Sequence, residues 1–228
     1  MKLAEQQIKN LIIQKSAELG FMKIGFSKAD FLKDESVRLK QWIDKGYDAG
    51  MKWIERSIYK RKDVNKILKN AKSVISLAYN YFTPFMYDET KPKISRYAWG
   101  KDYHIILKRK LKELCKYIDE ELPVKPVTKS IFYTDDGPVM EKAWAVRSGI
   151  GWQGKHTNVI TPEYGSWVFL SEIITTLELQ HYDKPIKDLC GSCRICIEAC
   201  PTGAIVDEYV LDSNLCISYQ TIENRSEI

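Results

Sequence analysis

Apolar residues at Leu3, Ile8, Leu11, Ile12 and Leu19, set among charged and amide side chains, give the N-terminus the spacing of an amphipathic helix. The period then changes. "MKIGFSKA" (22–29) predicts a short strand, and "ESVRLKQWIDKG" (35–46) a helix closed by Gly46. "SVISLAYNYF" (73–82) is β-branched and aromatic and runs into Thr83 and Pro84, which predicts a buried strand. Helical spacing returns over 103–122, where Ile106, Leu107, Leu111, Leu114 and Ile118 form one stripe and Pro123 marks the end. Cys115 lies on or beside that stripe and reads as a small core residue.

Further on, "SIFYTDDGP" (130–138) reads as a strand entering a turn, and "VMEKAWAVRSG" (139–149) as a helix ended by Gly149. "NVITPEYGSWVFLSEIITTLEL" (158–179) predicts two strands around a turn at Pro162 to Gly165. From Asp188 the chain becomes cysteine-rich and turn-rich, the mark of a small unit whose metal replaces a hydrophobic core. The pattern predicts an α+β fold. An α/β-like domain with a central sheet flanked by helices covers residues 1–185, and a small iron–sulfur domain covers 186–228.

Composition adds limits. The 228 residues are 44% hydrophobic and 29% charged, as in ordinary globular proteins. No run approaches the roughly 18 apolar residues of a membrane span, and the N-terminus lacks the apolar core of a signal peptide. A cytoplasmic location is the expectation, and there clustered cysteines are metal ligands more often than disulfides. The net charge of +5 is modest but uneven. Lys52, Arg56, Lys60, Arg61, Lys62, Lys66, Lys69 and Lys72 face only Glu55 and Asp63, and Lys108, Arg109, Lys110 and Lys112 follow His104. Such charge suits a phosphate backbone, and it equally suits a solvated helix face.

"GIGWQG" (149–154) matches G-x-G-x-x-G, but the dinucleotide fingerprint needs a strand before it and a helix after it. Here a helix precedes and strand-like "KHTNVI" follows, so the glycines read as a tight backbone path. "CGSCRICIEACPTGAI" (190–205) is the stronger signal. Cys190, Cys193 and Cys196 have the spacing for three corners of one [4Fe–4S] cluster, while the cysteine before Pro201 serves another. Structural zinc prefers two separated pairs. Cys216 is the natural second ligand for the cluster of Cys200. Two such clusters take four thiolates each, and the chain holds six cysteines, so a truncated form of a longer protein is expected.

"ISRYAWGKDYH" (94–104), "TDDGPVMEKAWAVRSGIGWQGKHTN" (134–158) and "CGSCRICIEACPTGAI…LCISYQTIE" (190–223) together resemble the epoxyqueuosine reductases, with "GYDAGMKWIER" (46–56) and "AKSVISLAYNY" (71–81) in the same order. These are cobalamin-dependent iron–sulfur enzymes of tRNA modification. The resemblance implies reduction of epoxyqueuosine to queuosine at the wobble position of the tRNA anticodon stem-loop. It implies base-off cobalamin in the first domain and a ferredoxin-like second domain, partial in this chain, whose full form carries two [4Fe–4S] clusters. An external electron donor, a monomeric state and no membrane partner follow with it. Cys190, Cys193 and Cys196 match one cluster's ligands, and Cys200 and Cys216 half of the other's.

The resemblance also assigns roles. As the epoxide C–O bond breaks, negative charge grows on oxygen, and a positioned acid lowers that barrier. Asp135 matches the family's acid; Asp136 stands where relatives usually have a small or hydroxyl residue. The alternative for both aspartates is to cap the helix at Val139. Arg56, Asp135, Lys155, His156, Thr157, Asn158 and Thr221 are the expected cobalamin contacts, with Lys155 and Arg56 directed at phosphate or amide groups. Base-off binding does not require His156 as an axial ligand. Arg96 and the lysines at 60–72 and 108–112 are the expected tRNA phosphate contacts. Two other readings share some of these features: a reductive dehalogenase-like enzyme of a small organohalide, and a ferredoxin-type electron-transfer protein. A non-enzymatic tRNA-binding fragment is a further reading.

Overall fold

A computed structural model describes residues 4–88, 90–124 and 126–226, so Leu3 of the first apolar stripe lies outside the described residues. The chain forms α1 (Glu5–Glu18), β1 (Lys23–Lys28), α2 (Lys33–Asp44), α3 (Lys52–Arg56), α4 (Ile58–Arg61) and β2 (Ser73–Asn80). Then come α5 (Tyr103–Lys116), β3 (Ser130–Tyr133), α6 (Glu141–Arg147), β4 (Trp152–Gln153), β5 (Val159–Ile160) and β6 (Val168–Thr175). The terminal segment holds α7 (Ile195–Glu198), β7 (Ile205–Asp207) and β8 (Val210–Leu211), followed by short helical turns at Ser213–Leu215 and Tyr219–Glu223.

The main sheet has the order β1-β2-β6-β3, every neighbouring pair antiparallel. Helices cover both faces, which is why the inner strands "SVISLAYN" and "VFLSEIIT" do not alternate cleanly between apolar and polar. On one face Phe26, Ile75, Leu77 and Ile173 pack against Ile12 of α1 and Leu107, Leu111 and Leu114 of α5. Each such buried side chain contributes about 1.5–3 kcal/mol relative to exposure. Cys115 belongs to this core, as expected, and burial pushes its thiol far up, away from the reactive thiolate.

On the other face Val74 and Ile174 pack against Trp144 of α6. The contact needs Gly25: a Cβ there would fall 2.0 Å from the Ser148 carbonyl oxygen at the end of α6.

Two expectations change in detail. The strands expected to pair across Pro162–Gly165 form, but in different sheets: β5 pairs with β4, and β6 runs between β2 and β3. A single bridge, Thr161 to Gly165, spans the turn. Apolar demand on both faces draws β6 into the sheet centre. The helix expected from Val139 starts at Glu141, with Met140 before it and no side-chain cap, so neither aspartate caps it.

Within 186–226 only Ala204 and Ser213 are buried, so this segment has no hydrophobic core of its own. Trp42 Nε1 donates to the Leu211 carbonyl at 2.6 Å, Ser213 N to Tyr47 O at 3.0 Å and Gly50 N to the Tyr219 hydroxyl at 2.9 Å, which fastens it to α2 and the loop after it. No helix among the described residues is long and apolar enough to cross a membrane.

Candidate active site around Asp135

Asp135 sits in the turn between β3 and α6 with φ of +59°, a left-handed conformation that costs a non-glycine residue about 1–3 kcal/mol. The surroundings hold it there. Its backbone N–H donates to Glu141 Oε1 at 2.6 Å, and its Oδ2 accepts from the Tyr103 hydroxyl at 2.5 Å. The Thr134 hydroxyl anchors the turn to the Leu170 carbonyl at 3.1 Å. Asp136 has a different environment: it pairs with Lys108 and accepts from Thr134 N–H. Partial burial works against the charge, but these partners still hold its carboxyl below the usual carboxylate range.

Tyr103, at the start of α5, is stacked on Phe169 with centroids 4.0 Å apart and on His104 at 4.0 Å. Burial first, then the bond to Asp135, pushes its phenol far up, so the hydroxyl stays a donor. It also walls a cavity of 370 Å³ lined by Tyr79, Tyr81, Phe85, Tyr97 and Trp99. Arg96, expected on a phosphate-binding face, belongs to this wall instead. Its guanidinium lies 5.4–5.8 Å from the rings of Phe82, Tyr87, Trp99 and Trp167 and donates to the Phe85 carbonyl. Its attraction to four π-faces organises the loop.

Beyond Asp135 lies a charged group that sequence reasoning missed: Glu141, Lys142 and Glu172. Burial, with the charges of Asp135 and Asp136 added, raises Glu141 to about 7 against the opposing Asp135 N–H bond. Lys142 is exposed, yet the protein around it desolvates its ammonium and draws it down. Asp135, Glu141 and Cys216 are near enough for their charges to oppose that shift, and Lys142 acts in turn on His156. Lys142 thus stands where the Asp135 turn, the 154–158 loop and the cysteine-rich segment meet. The sequence signal for Glu172 was available: a lone acid inside the apolar strand "VFLSEIIT".

Of the expected cobalamin contacts, Arg56 and Asn158 are exposed, and the Arg56 side chain has no hydrogen bond or ion pair among the described residues. Thr157 has φ of +70°, a strained position for a β-branched residue. The His156 ring is drawn down by burial and so stays neutral; its Nδ1 accepts from Asn158 N–H at 3.1 Å. The Thr221 hydroxyl donates to Ile217 O at 2.9 Å. Lys155 differs from expectation: it is buried, and its ammonium donates to Gly191 O and Glu208 Oε1, both at 2.7 Å. It ties the cysteine-rich segment to the main domain. The polar groups still open, on Arg56, Thr157 and Asn158, suit the amide fringe of a corrinoid.

All five cysteines of the terminal segment are free thiols, none of them buried. Among the described residues no three His, Cys, Asp or Glu side chains gather at one metal ion's position. An iron–sulfur cluster is gripped at its corners, and the local backbone fits that use. Cys193 N–H closes a turn on Cys190 O at 2.9 Å, and the Cys200 sulfur receives N–H groups of Ile205, Thr202 and Ala204. Those donors, the Ile205 N–H most strongly, draw its thiol down towards the thiolate form. On the basic faces, Lys66, Lys69, Arg109 and Lys112 are exposed. Lys72 pairs with Glu178, Lys108 with Asp136, and Lys110 donates to Leu19 O.

Two family profiles match the chain: epoxyqueuosine reductase QueG (DUF1730) over residues 61–135, and a 4Fe-4S double cluster binding domain over 189–228. An epoxyqueuosine reductase of Synechocystis sp. is 49% identical over 198 residues, covering 86% of this chain and 66% of that protein. One from Cellulophaga algicola is 44% identical over 219 residues, covering 96% and 70%. The chain therefore spans about two thirds of these relatives' length. A crystal structure of an epoxyqueuosine reductase with an epoxyqueuosine-modified tRNA stem loop superposes with a TM-score of 0.85 at 36% identity, over 96% of this chain and 58% of that one. A Bacillus subtilis epoxyqueuosine reductase, described with its catalytic aspartate loop swung out of the active site, gives 0.83 at 34% identity over the same shares. A catabolic reductive dehalogenase shares the fold alone, with 12% identity and a TM-score of 0.53 over 98% of this chain and 26% of that one.

Proposed function

This chain belongs to the epoxyqueuosine reductase family, and we propose that it takes part in the family's reaction, reducing epoxyqueuosine to queuosine in the anticodon stem-loop of tRNA in the cytoplasm. The overall change consumes two electrons and two protons and releases the epoxide oxygen as water. Base-off cobalamin, when bound, supplies the nucleophilic and reducing chemistry at carbon, and iron–sulfur clusters fed by an external donor supply its electrons.

The chain's own residues do the rest. Asp135 gives a proton to the epoxide oxygen as the C–O bond breaks. Tyr103 orients that carboxyl from one side, while Glu141 fixes the backbone N–H behind it. Arg56, Thr157, Asn158, His156 and Thr221 line the cofactor side, and Lys155 holds the cluster segment, residues 186–228, against the 1–185 domain. Cys190, Cys193 and Cys196 hold one cluster; Cys200 and Cys216 contribute to another. Lys66, Lys69, Arg109 and Lys112 meet tRNA phosphates, and the chain acts as a monomer.

The observation that carries this reading is the Asp135 turn. An exposed aspartate on a strained backbone is held by two hydrogen bonds, one from the Tyr103 hydroxyl to its carboxyl and one from its own N–H to Glu141, beside an aromatic cavity. A cap or a simple electron carrier would need neither. Anaerobically prepared chain loaded with cobalamin should show a base-off spectrum and reduce an epoxyqueuosine stem-loop, and Asp135→Ala should lose reduction but keep the spectrum. No cobalamin binding under any condition would remove the reading.

A further inference from the structure

Two carboxyls adjoin the Asp135 turn, Glu141 through a hydrogen bond to its N–H and Glu172 through its place opposite Tyr133 of the strand that enters the turn. Glu172, on β6, is fully buried, and neither carboxyl oxygen has a hydrogen-bond partner among the described residues. Across the sheet it stands opposite Ser76 of β2 and Tyr133 of β3, the latter two residues before Asp135. The Ser76 hydroxyl is likewise buried and partnerless. This row faces α6, because Gly25, opposite Ser76, points at the Ser148 carbonyl. Glu141 opens α6 on that side and holds the Asp135 N–H at 2.6 Å, and its charge reaches Glu172.

A fully buried carboxyl that no protein group hydrogen-bonds is more stable protonated than ionised. Burial, then the Glu141 charge, pushes Glu172 well above the ordinary carboxylate range. Glu141 is faced by Asp135 and Asp136 on its own turn, Lys142 beside it, Arg61 of α4 and Tyr103 of α5. Glu172 is faced by Glu141, with Ser76 and Tyr133 across the sheet. The proposed reaction consumes protons at a carboxyl open to water, and the carboxyls that burial favours in protonated form adjoin the same turn.

We propose that Glu141 and Glu172 hold a proton for the active site and return it, through Glu141, to the Asp135 carboxylate once Asp135 has protonated the epoxide oxygen. The step balances without electrons. Neither Glu172 oxygen bonds Glu141, and Glu141 meets Asp135 at its backbone N–H, so each transfer crosses a water. An O–H bond of Glu141 breaks as one forms on Asp135, the Glu172 proton passes to Glu141, and protons from solvent refill the pair through half-buried Glu141. Both glutamates are positioning residues, since neither touches the substrate. The inference rests on the reaction proposed above, so its test has one arm that does not need that reaction.

In that arm, infrared spectroscopy of the unloaded chain follows the carbonyl stretch of protonated carboxyls with pH. The expected result is one band persisting well beyond the ordinary carboxyl range, and lost in Glu172→Gln, which keeps shape and neutrality. A second band, titrating at about 7, should vanish in Glu141→Gln. In the turnover arm, Glu141→Gln should lower kcat at least about tenfold, within the range of proton-transfer catalysis, with KM unchanged. Glu172→Gln should alter the pH profile of kcat, and Glu141→Asp should recover part of the rate. Absence of the persistent band, or variants with the parent's kcat and pH profile, would overturn the proposal. A chain that shows both bands but reduces no epoxide would support the proton store and count against the reaction.

Discussion

The Tyr103 hydroxyl lies 2.5 Å from Asp135 Oδ2 and is the only side-chain donor to that carboxyl among the described residues. The link joins the start of α5 to the β3–α6 turn, and so ties an acid to the wall of an aromatic cavity.

Removing that hydroxyl should therefore misplace the acid without disturbing the fold. A hydrogen bond to a charged group is worth about 1.5–3 kcal/mol, so Tyr103→Phe should cost roughly 10- to 100-fold in single-turnover epoxide reduction. Cobalamin binding, followed by its absorption spectrum, should stay at the parent's level. An unchanged rate would show that Tyr103 only packs.

Stability should follow the core on the α5 face. Leu111 is fully buried between α5 and the sheet, so Leu111→Ala should destabilise by about 2–5 kcal/mol in urea unfolding. Leu111→Met should cost less than about 1.5 kcal/mol.

The buried glutamates set a pH dependence of stability. Their native pKa values are raised: Glu141 to about 7, and Glu172 in direction well above the model-peptide 4.5. Each contributes stability that is fully present below 4.5 and lost as pH rises through its native value. Glu172→Gln should therefore gain stability relative to the parent at alkaline pH, and less or none in acid. Denaturation midpoints of both proteins across pH would show it; a constant difference would contradict it.

Iron content tests the ligand count. Five cysteines lie in the terminal segment, and Cys115 is sealed in the core. Reconstituted chain should hold no more than about four irons, one cubane's worth, while two cubanes would bring eight. Eight stably bound irons would contradict this assignment.

Much of the fold was legible because its signals are local. The stripe of 103–122, the strand 73–82 and the closing glycines of the second and sixth helices all depend on neighbours in sequence. Pairing was not legible: nothing near 158–179 says that β6 must lie between β2 and β3. The site divides in the same way. The cysteines stand out by type and spacing and Asp135 by the resemblance of its motif, whereas Tyr103, Lys142 and Glu172 acquire meaning only through tertiary contact. Lys155 and Arg96 show the reverse case. Each looked free to meet a ligand, and the fold gives each protein partners: the Gly191 carbonyl with Glu208, and four aromatic rings with a carbonyl.

The most direct measurement is single-turnover reduction of an epoxyqueuosine stem-loop by cobalamin-loaded chain, parent against Asp135→Asn, with chemically supplied electrons. The account predicts queuosine from the parent, a rate lower by about 10²–10⁴-fold in the variant, and the same base-off cobalamin spectrum in both. Equal rates would contradict Asp135 as the acid, and a parent that binds no cobalamin would contradict the account as a whole.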